Sequence, residues 1–279
     1  MKVFISPKFR AALSMLSQTT SCLPRVTTAY LGSRQWATTA CLGQRALSIA
    51  GSLQQHEHAV LYKPDGVLSQ FVWRGKQAMK RRQRLLSDLP CAALLPPGMM
   101  AIGRLDQDTE GLMLLTTDGL LTYFVLKARQ IEKEYYAQVQ GEIGRDAVDR
   151  LAAGGMEIAD RSAEGGLHLT RPCAAMRIDE PPLLPERSKP VAGLFKKKLD
   201  GTVMALPSSW ISLSLVEGKN RQVRRMTAAV GHPTLRLVRV RVGDVVIGTL
   251  RPGELMPWDP GEALIRRAHE FSQSRRAEL

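Results

Sequence analysis

Asp106 stands in the run Gly103-Arg104-Leu105-Asp106-Gln107-Asp108-Thr109-Glu110-Gly111, directly ahead of the apolar stretch Leu112 to Thr117. Gly103 and Gly111 allow backbone conformations and close approaches that a side chain would forbid. Leu112 to Thr117 has the length and apolar density of a buried strand. A carboxylate between a flexible loop and such a strand is presented by rigid backbone, the setting of a positioned reagent. Asp108 and Glu110 invite a second reading, an acid and base pair or a metal pair with Asp106. That reading is the weaker one, because no further carboxylate or His cluster stands near in sequence. Thr109 and Glu110 are instead expected to hold the loop by local hydrogen bonds.

The other block with chemical character is Glu217-Gly218-Lys219-Asn220-Arg221-Gln222-Val223-Arg224-Arg225-Met226. Asn220 is a good N-cap and Gly231 a good terminator, which predicts a helix of about ten residues. Val223, Met226 and Val230 fall on one side of it, and Arg221, Arg224 and Arg225 on the other. Cations are unfavourable at the positive end of the helix dipole, so three arginines there point to an anionic partner. RNA phosphates, a carboxylate such as Asp106, or both would serve. His232, ahead of Pro233, reads as a turn residue.

These blocks need elements to position them. Ala59 to Tyr62 reads as a strand, Lys63-Pro64-Asp65-Gly66 as a turn, and Val67 to Phe71 as a further extended run. A basic stretch between Lys76 and Leu86 is assigned to a helix whose charges face solvent or phosphate. Leu120 to Lys127 reads as a helix and Glu134 to Val139 as a strand with Tyr135, Ala137 and Val139 on one face. Asp146 to Ala153 is expected to be a helix ended by Gly154-Gly155. Residues 177 to 208, rich in Pro and Lys, read as a surface loop or insertion. Trp210 to Val216 alternates as a strand does, and Thr234 to Gly243 is a strand with a bulge expected after Leu237. From Gly261 to residue 279 the chain is polar and basic, a tail or peripheral helix.

The chain of 279 residues has 39 Lys and Arg against 26 Asp and Glu, a net charge of +13. Such an excess favours a polyanionic partner. Residues 1 to 55 contain no acidic residue, while Lys2, Lys8, Arg10, Arg25, Arg34 and Arg45 lie among Ser, Thr and Ala. That is the composition of an organellar transit peptide, with the mitochondrion preferred to the plastid because basic residues are dense at the start. Without this segment the chain still holds 33 Lys and Arg against 26 acidic residues. Cys22, Cys41, Cys91 and Cys173 are widely spaced, which suggests neither a disulfide framework nor a zinc site. No apolar run is long enough to span a bilayer.

Three blocks resemble the RsuA-type pseudouridine synthases. They are Tyr62-Lys63-Pro64-x-Gly66-Val67-Leu68-Ser69-Gln70-Phe71, the Gly103 to Gly119 run, and Glu217 to Glu254 with Gly231-His232-Pro233 and Pro252-Gly253-Glu254. They appear in the family's order and cover most of residues 58 to 258. The resemblance implies an α+β fold with a mixed, mainly antiparallel central sheet flanked by helices, in a catalytic domain over residues 56 to 260. It makes Asp106 the catalytic residue, Arg224 its basic partner and Tyr135 the active-site tyrosine. Taken alone, Tyr135 would read as an ordinary strand aromatic. A guanidinium cannot lose its proton and offers a fork that fits a carboxylate, so Arg224 would keep Asp106 ionised and fix its direction. RNA contacts are expected from Lys63, Arg104, Arg221, Arg225, Arg236 and Arg239. No cofactor and no metal are implied, since the reaction is an isomerisation.

Many members of this class carry a basic S4-type domain ahead of the catalytic domain, and no room for one exists between the leader and Ala59. The chain therefore most resembles the minimal, RluE-type enzymes of large-subunit ribosomal RNA. The expected function is conversion of a uridine in organellar ribosomal RNA, by a monomer with no membrane partner. A non-catalytic RNA-binding or ribosome-assembly factor with the same fold is the alternative from another class, and a tRNA-directed synthase is a second. Intact Asp106, Tyr135 and Arg224 argue against a role in binding alone.

Overall fold

The computed structural model describes residues 56–73, 83–127, 131–160, 163–181, 184–187, 190–197 and 202–277. The leader assigned to residues 1 to 55, Cys22 and Cys41 within it, and Lys80, Arg81 and Arg82 of the basic stretch lie outside the described residues.

The strands are β1 (His58–Lys63), β2 (Val67–Leu68), β3 (Arg84–Leu85), β4 (Met100–Ala101), β5 (Glu110–Thr116), β6 (Lys133–Gln140), β7 (Glu157–Ala159), β8 (Leu167–Leu169), β9 (Ala174–Ile178), β10 (Phe195–Lys197), β11 (Val203–Ala205), β12 (Ser208–Leu215), β13 (Thr234–Val242), β14 (Val245–Val246) and β15 (Leu255–Pro257). The helices are α1 (Gly119–Lys127), α2 (Arg145–Ala153), α3 (Gln222–Ala229) and α4 (Gly261–Ala277). The central sheet runs β15-β1-β5-β13-β6-β12-β9, with β4 on β5 and β14 on β13. Every pairing in it is antiparallel except β13 with β5. The fold is α+β with a mixed, mainly antiparallel sheet, as the sequence resemblance implied.

That single parallel contact joins the two halves of the sheet and decides where the Asp106 loop lies. Val238 is opposite Glu110 and Arg239 opposite Gly111. Gly111 has φ +104°, and a Cβ there would stand 2.3 Å from the Arg239 carbonyl oxygen. Only glycine lets β13 come this close to β5 at the end of the loop.

Alternation along the strands divides the apolar residues among three cores. Leu112 and Leu114 of β5 face a core with Val238, Val240 and Val242 of β13 and with Leu121, Phe124 and Val125 of α1. Met113 and Leu115 point the other way, to Leu86, Leu89 and Leu105. Ala137 and Val139 of β6, with Tyr135 at the margin, join Ile211 and Leu213 of β12 against α2 and α3. Burying each such side chain contributes roughly 1.5 to 3 kcal/mol, so the sheet is fixed by its faces.

Several expected elements take other forms. The extended run is short, Val67 to Leu68, and it pairs in parallel with Arg84 and Leu85, which the basic-helix assignment had claimed. Residues 177 to 208 contain the hairpin β10–β11 and the end of β9. Residues 261 to 277 take the helical one of their two expected forms and dock on α1. There Ala268 is buried, Phe271 packs on Tyr123 and Phe124, and Arg267 lies over the Phe124 ring at 5.5 Å. The register of β13 on β6 shifts at two places, between Thr234 and Arg236 and between Arg239 and Arg241, and not directly after Leu237. Cys91 and Cys173 are free, half-buried thiols.

Candidate active site

The loop from Gly103 to Thr109 joins β4 to β5, and each carbonyl from Leu105 to Asp108 has a donor. Ser69 Oγ donates to Leu105 O at 2.6 Å and accepts from Leu105 N at 2.9 Å. Asp106 O accepts from Thr109 N at 3.1 Å, closing a tight turn. Gln107 O accepts from Gly66 N at 2.8 Å and from Lys63 Nζ at 3.4 Å. Asp108 O accepts from Arg224 Nη2 at 2.7 Å. Four successive peptides are thus held from three sides, while the Asp106 side chain remains about 31% exposed. The loop is stiff and its carboxylate is presented.

Asp106 opens onto a cleft of about 820 Å³ whose walls include Arg104, Tyr135, Lys133, Arg171, Lys219, Arg221 and Arg239. Leu114, Val125, Leu237 and Val242 supply an apolar floor. An apolar floor with a few convergent polar groups, at this size, is the usual form of a small-molecule or nucleotide pocket. Tyr135 reaches it from β6, flanked by Leu213 of β12 and Arg239 of β13. A second hollow of about 640 Å³ adjoins it, sharing Arg104, Asp106 and Arg221 and bounded further by Asp65, Gln70, Gln107 and Asp108.

The arginines divide their work differently from the expectation. Arg221 Nη1 is the guanidinium nitrogen within ion-pair distance of Asp106, 3.9 Å from Oδ2. Arg221 also makes a bidentate pair with Asp108, two bonds of 2.9 Å. Arg224, expected to pair with Asp106, instead donates to Asp108 O and, at 3.1 Å, to Thr234 O. Its Nε also lies 3.4 Å from Asp108 Oδ2, so it holds the loop at both the backbone and the side chain of Asp108. α3 begins at Gln222, one residue later than an Asn220 cap would place it.

Arg221 is the N-cap of α3, with φ 51° and ψ 34°, and no side chain caps the helix. It is the one non-glycine residue of positive φ among the described residues. A left-handed residue with a Cβ costs roughly 1 to 2 kcal/mol and persists where its surroundings over-determine it. Here Glu217 accepts hydrogen bonds from Arg171 N at 3.0 Å and from Gln222 Nε2, and lies 2.9 Å from His168 Nε2. Gln222 Oε1 in turn accepts from Lys219 N at 3.0 Å, and Lys219 pairs with Asp160 at 2.8 Å. Burial acts to raise the Glu217 carboxyl, but these donors outweigh it and hold it below the usual range. The strained turn aims Arg221 back at Asp106 and Asp108.

Asp108 shows the same balance. Burial would raise it, and the hydrogen bonds from Arg221 with the charges of Arg224 and Arg221 bring it below the usual range. The carboxylate also stands near the positive end of the α3 dipole, so it offsets the cost of the arginines there.

Three residues expected at phosphates are internal ties. Lys63 is fully buried, and its Nζ donates to Pro64 O, Val67 O and Gln107 O. Burial lowers it to about 8, against the opposing charges of Asp65 and Glu110. Arg236 is buried in a bidentate pair with Glu110, both bonds 3.0 Å, and donates also to Pro185 O. Arg239 is buried with Nε on Leu112 O at 2.8 Å, although it still borders the cleft. Glu110 therefore makes a long-range ion pair and no local loop bond. Arg225 is committed to Ala159 O and Asn220 Oδ1, whereas Arg104 and Arg221 remain exposed at the mouth. Sequence reasoning missed Ser69, Glu217 and Arg187. Ser69 stood within a quoted block, Glu217 headed another, and Arg187 had no local pattern at all.

His232 is a turn residue, its Nδ1 2.9 Å from Gln140 O. Among the described residues no group of three or more His, Cys, Asp or Glu could hold a metal ion. None of their helices is long and apolar enough to cross a membrane.

Comparison with known proteins agrees with this geometry. A family model described as RNA pseudouridylate synthase matches residues 57–229. A protein named ribosomal large subunit pseudouridine synthase E from Xanthomonas axonopodis pv. citri (strain 306) is 40% identical over 194 residues, covering 69% of this chain and 89% of its own. One of the same name from Vibrio parahaemolyticus serotype O3:K6 (strain RIMD 2210633) is 36% identical over 203 residues, covering 72% and 74%. A crystal structure titled as a pseudouridylate synthase shares the fold, with TM-score 0.51 and 23% identity over 78% of this chain and 75% of that one. A positioned aspartate, a tyrosine across an apolar cleft and a matching family model over most of the described chain lead to one assignment: the chain belongs to the RNA pseudouridylate synthase family.

Proposed function

We propose that this chain isomerises a uridine of large-subunit ribosomal RNA to pseudouridine, as a monomer, inside a mitochondrion. The observation that carries the chemistry is that Asp106 and Tyr135 line the same cleft, with exposed Arg104 and Arg221 at its mouth. The reaction breaks the bond from uracil N1 to C1′ of the ribose, turns the base, and joins C5 to the same C1′; C5 then loses its own proton and N1 takes one up. Atoms and charge balance without an external reagent. An ionised carboxylate beside the sugar starts it, either by attacking C1′ or by taking the C2′ proton. Asp106 fills that place, with the Arg221 guanidinium 3.9 Å from its Oδ2. Tyr135 presents a ring to stack on the uracil, with a hydroxyl near C5.

The target base has to leave its stack, at a cost of a few kcal/mol that pocket stacking and edge contacts offset. Arg104, Arg171, Lys219 and Arg221 line the cleft and would meet the phosphates on either side. Large-subunit ribosomal RNA is supported by the names of the Xanthomonas and Vibrio relatives. Import is supported by the acid-free, basic composition of residues 1 to 55.

Chemical mapping of pseudouridine in cytosolic and organellar RNA, with and without this protein, tests the substrate. Loss of one mitochondrial large-subunit site is the expected result, and loss of a tRNA site alone would overturn the rRNA assignment. A reporter fused to residues 1 to 58 should leave the cytosol for the mitochondrion. Retention in the cytosol would refute import.

A further inference from the structure

We propose that residues 184 to 187 form a strap behind the Asp106 loop, and that Arg187 is a positioning residue for the isomerisation. The proposal rests on the reading of Asp106 as the reacting carboxylate, and it gives a role to a segment that sequence alone marks only as a surface insertion.

The segment is fastened at three points. Leu184 packs against the core formed by β1, β5 and β13. Pro185 O accepts from Arg236 Nη2 at 2.8 Å. The Arg187 side chain, only 12% exposed, pairs through Nη2 with the Asp65 carboxylate and places Nε 3.2 Å from Glu110 Oε1. Both partners belong to the frame of the catalytic loop. Asp65 precedes Gly66, whose N–H holds Gln107 O at 2.8 Å. Glu110 is the first residue of β5, three peptides beyond the Gln107 that Gly66 holds. One guanidinium therefore links the turn that grips the loop to the strand that receives it.

Stability alone does not account for this arrangement. Arg236 already meets Glu110 with two hydrogen bonds of 3.0 Å, so the carboxylate is neutralised without Arg187. Arg187 Nε is buried without a hydrogen-bond acceptor in line, despite its closeness to Glu110. A second buried cation with an unmet donor is a cost to folding. What Arg187 adds is a rigid distance between Asp65 and Glu110. Because both ends of the Asp106 loop refer to that distance, its loss should let the carboxylate move relative to Tyr135 and the bound sugar. A misplacement of ~1 Å lowers a rate by about 100-fold.

The test compares wild type with Arg187→Ala, Arg187→Lys and Asp65→Asn, the last breaking the same pair at its more exposed end. Amide hydrogen exchange of the free protein is read at residues 103 to 109 and at β6 and β12, alongside single-turnover rates and RNA affinity. Expected are exchange at least ~10-fold faster in the loop with β6 and β12 unchanged, a single-turnover rate down ~10- to 100-fold, RNA Kd within about twofold, and partial recovery with Lys. Unchanged loop exchange in both Arg187→Ala and Asp65→Asn would overturn the strap. Exchange that quickens equally in β6 and β12 would also overturn it, by making Arg187 a general stabiliser. A loss confined to RNA affinity would make it an RNA contact instead. Exchange is measured without substrate, so a wild-type protein that modifies no uridine would refute the proposed function while the strap is still decided.

Discussion

Lys63 is a fully buried ammonium in contact with the loop that carries Asp106, and its replacement by Met separates electrostatics from geometry. Burial lowers its pKa from 10.5 to about 8. The folded state therefore resists the charge, and the difference corresponds to roughly 3 kcal/mol at about 1.4 kcal/mol per pH unit. Below pH 8 both folded and unfolded chains hold the proton, and the whole penalty is present. Between pH 8 and 10.5 the unfolded chain binds more protons, so unfolding free energy rises with pH through this window. Denaturant unfolding across it should show wild type gaining ~3 kcal/mol relative to Lys63→Met. Other groups are common to both proteins and cancel in the difference. At pH 7 the variant loses donors to Pro64 O and Val67 O but sheds the buried charge, so its net stability should change by less than about 2 kcal/mol. Its rate should still fall by about 10- to 100-fold, because Gln107 O loses one of its two donors and the loop loosens. Parallel stability profiles for the two proteins would refute the buried-charge argument, and a full rate with Met would refute the tether.

Other perturbations follow from the same contacts. Arg221→Ala should cost under about 1 kcal/mol of stability, since its pair with Asp108 is half exposed, yet it should slow the reaction strongly; Arg224→Ala should cost ~3 kcal/mol because it leaves Asp108 O without its donor. Thermal melts and single-turnover rates distinguish the two, and equal melting losses would contradict the division of labour. Gly111→Ala should abolish folding or expel β13 from β5, given the 2.3 Å approach of its Cβ to Arg239 O; circular dichroism of a soluble, native-like variant would count against that close contact. Tyr135→Leu should weaken the reaction more than Tyr135→Phe if stacking matters more than the hydroxyl, and the reverse order in single-turnover rates would assign the work to the hydroxyl.

The fold was legible where residues carry their own periodicity. Leu112 to Thr116, the alternating β6 and the α1, α2 and α3 segments all announce themselves by spacing and by glycine punctuation. The parallel β5–β13 contact is not visible that way, because it depends on residues 128 apart meeting at Gly111. Gly111 was marked for close approach, but the neighbour it admits is a matter of tertiary structure. The same limit explains the arginines. Charge alone suggested phosphates for Lys63, Arg236 and Arg239, whereas buried carbonyls and Glu110 claim their donors once the sheet closes. Arg221 and not Arg224 comes within ion-pair distance of Asp106, and no local pattern encodes the left-handed turn at Arg221 that brings it there. The β10–β11 hairpin was hidden by the Pro and Lys around it, whereas the C-terminal segment, expected as a tail or peripheral helix, forms α4 and docks on α1 through Phe271 and Arg267.

The central claim is that the Asp106 carboxylate performs the isomerisation. Its most direct test is pseudouridine mapping in cells whose only copy of the protein carries Asp106→Asn, a change that keeps the shape and removes the charge. The account predicts that the uridine modified in the presence of wild type stays unmodified while the variant protein accumulates with a wild-type melting temperature. Full modification of that uridine by the Asp106→Asn protein would contradict it.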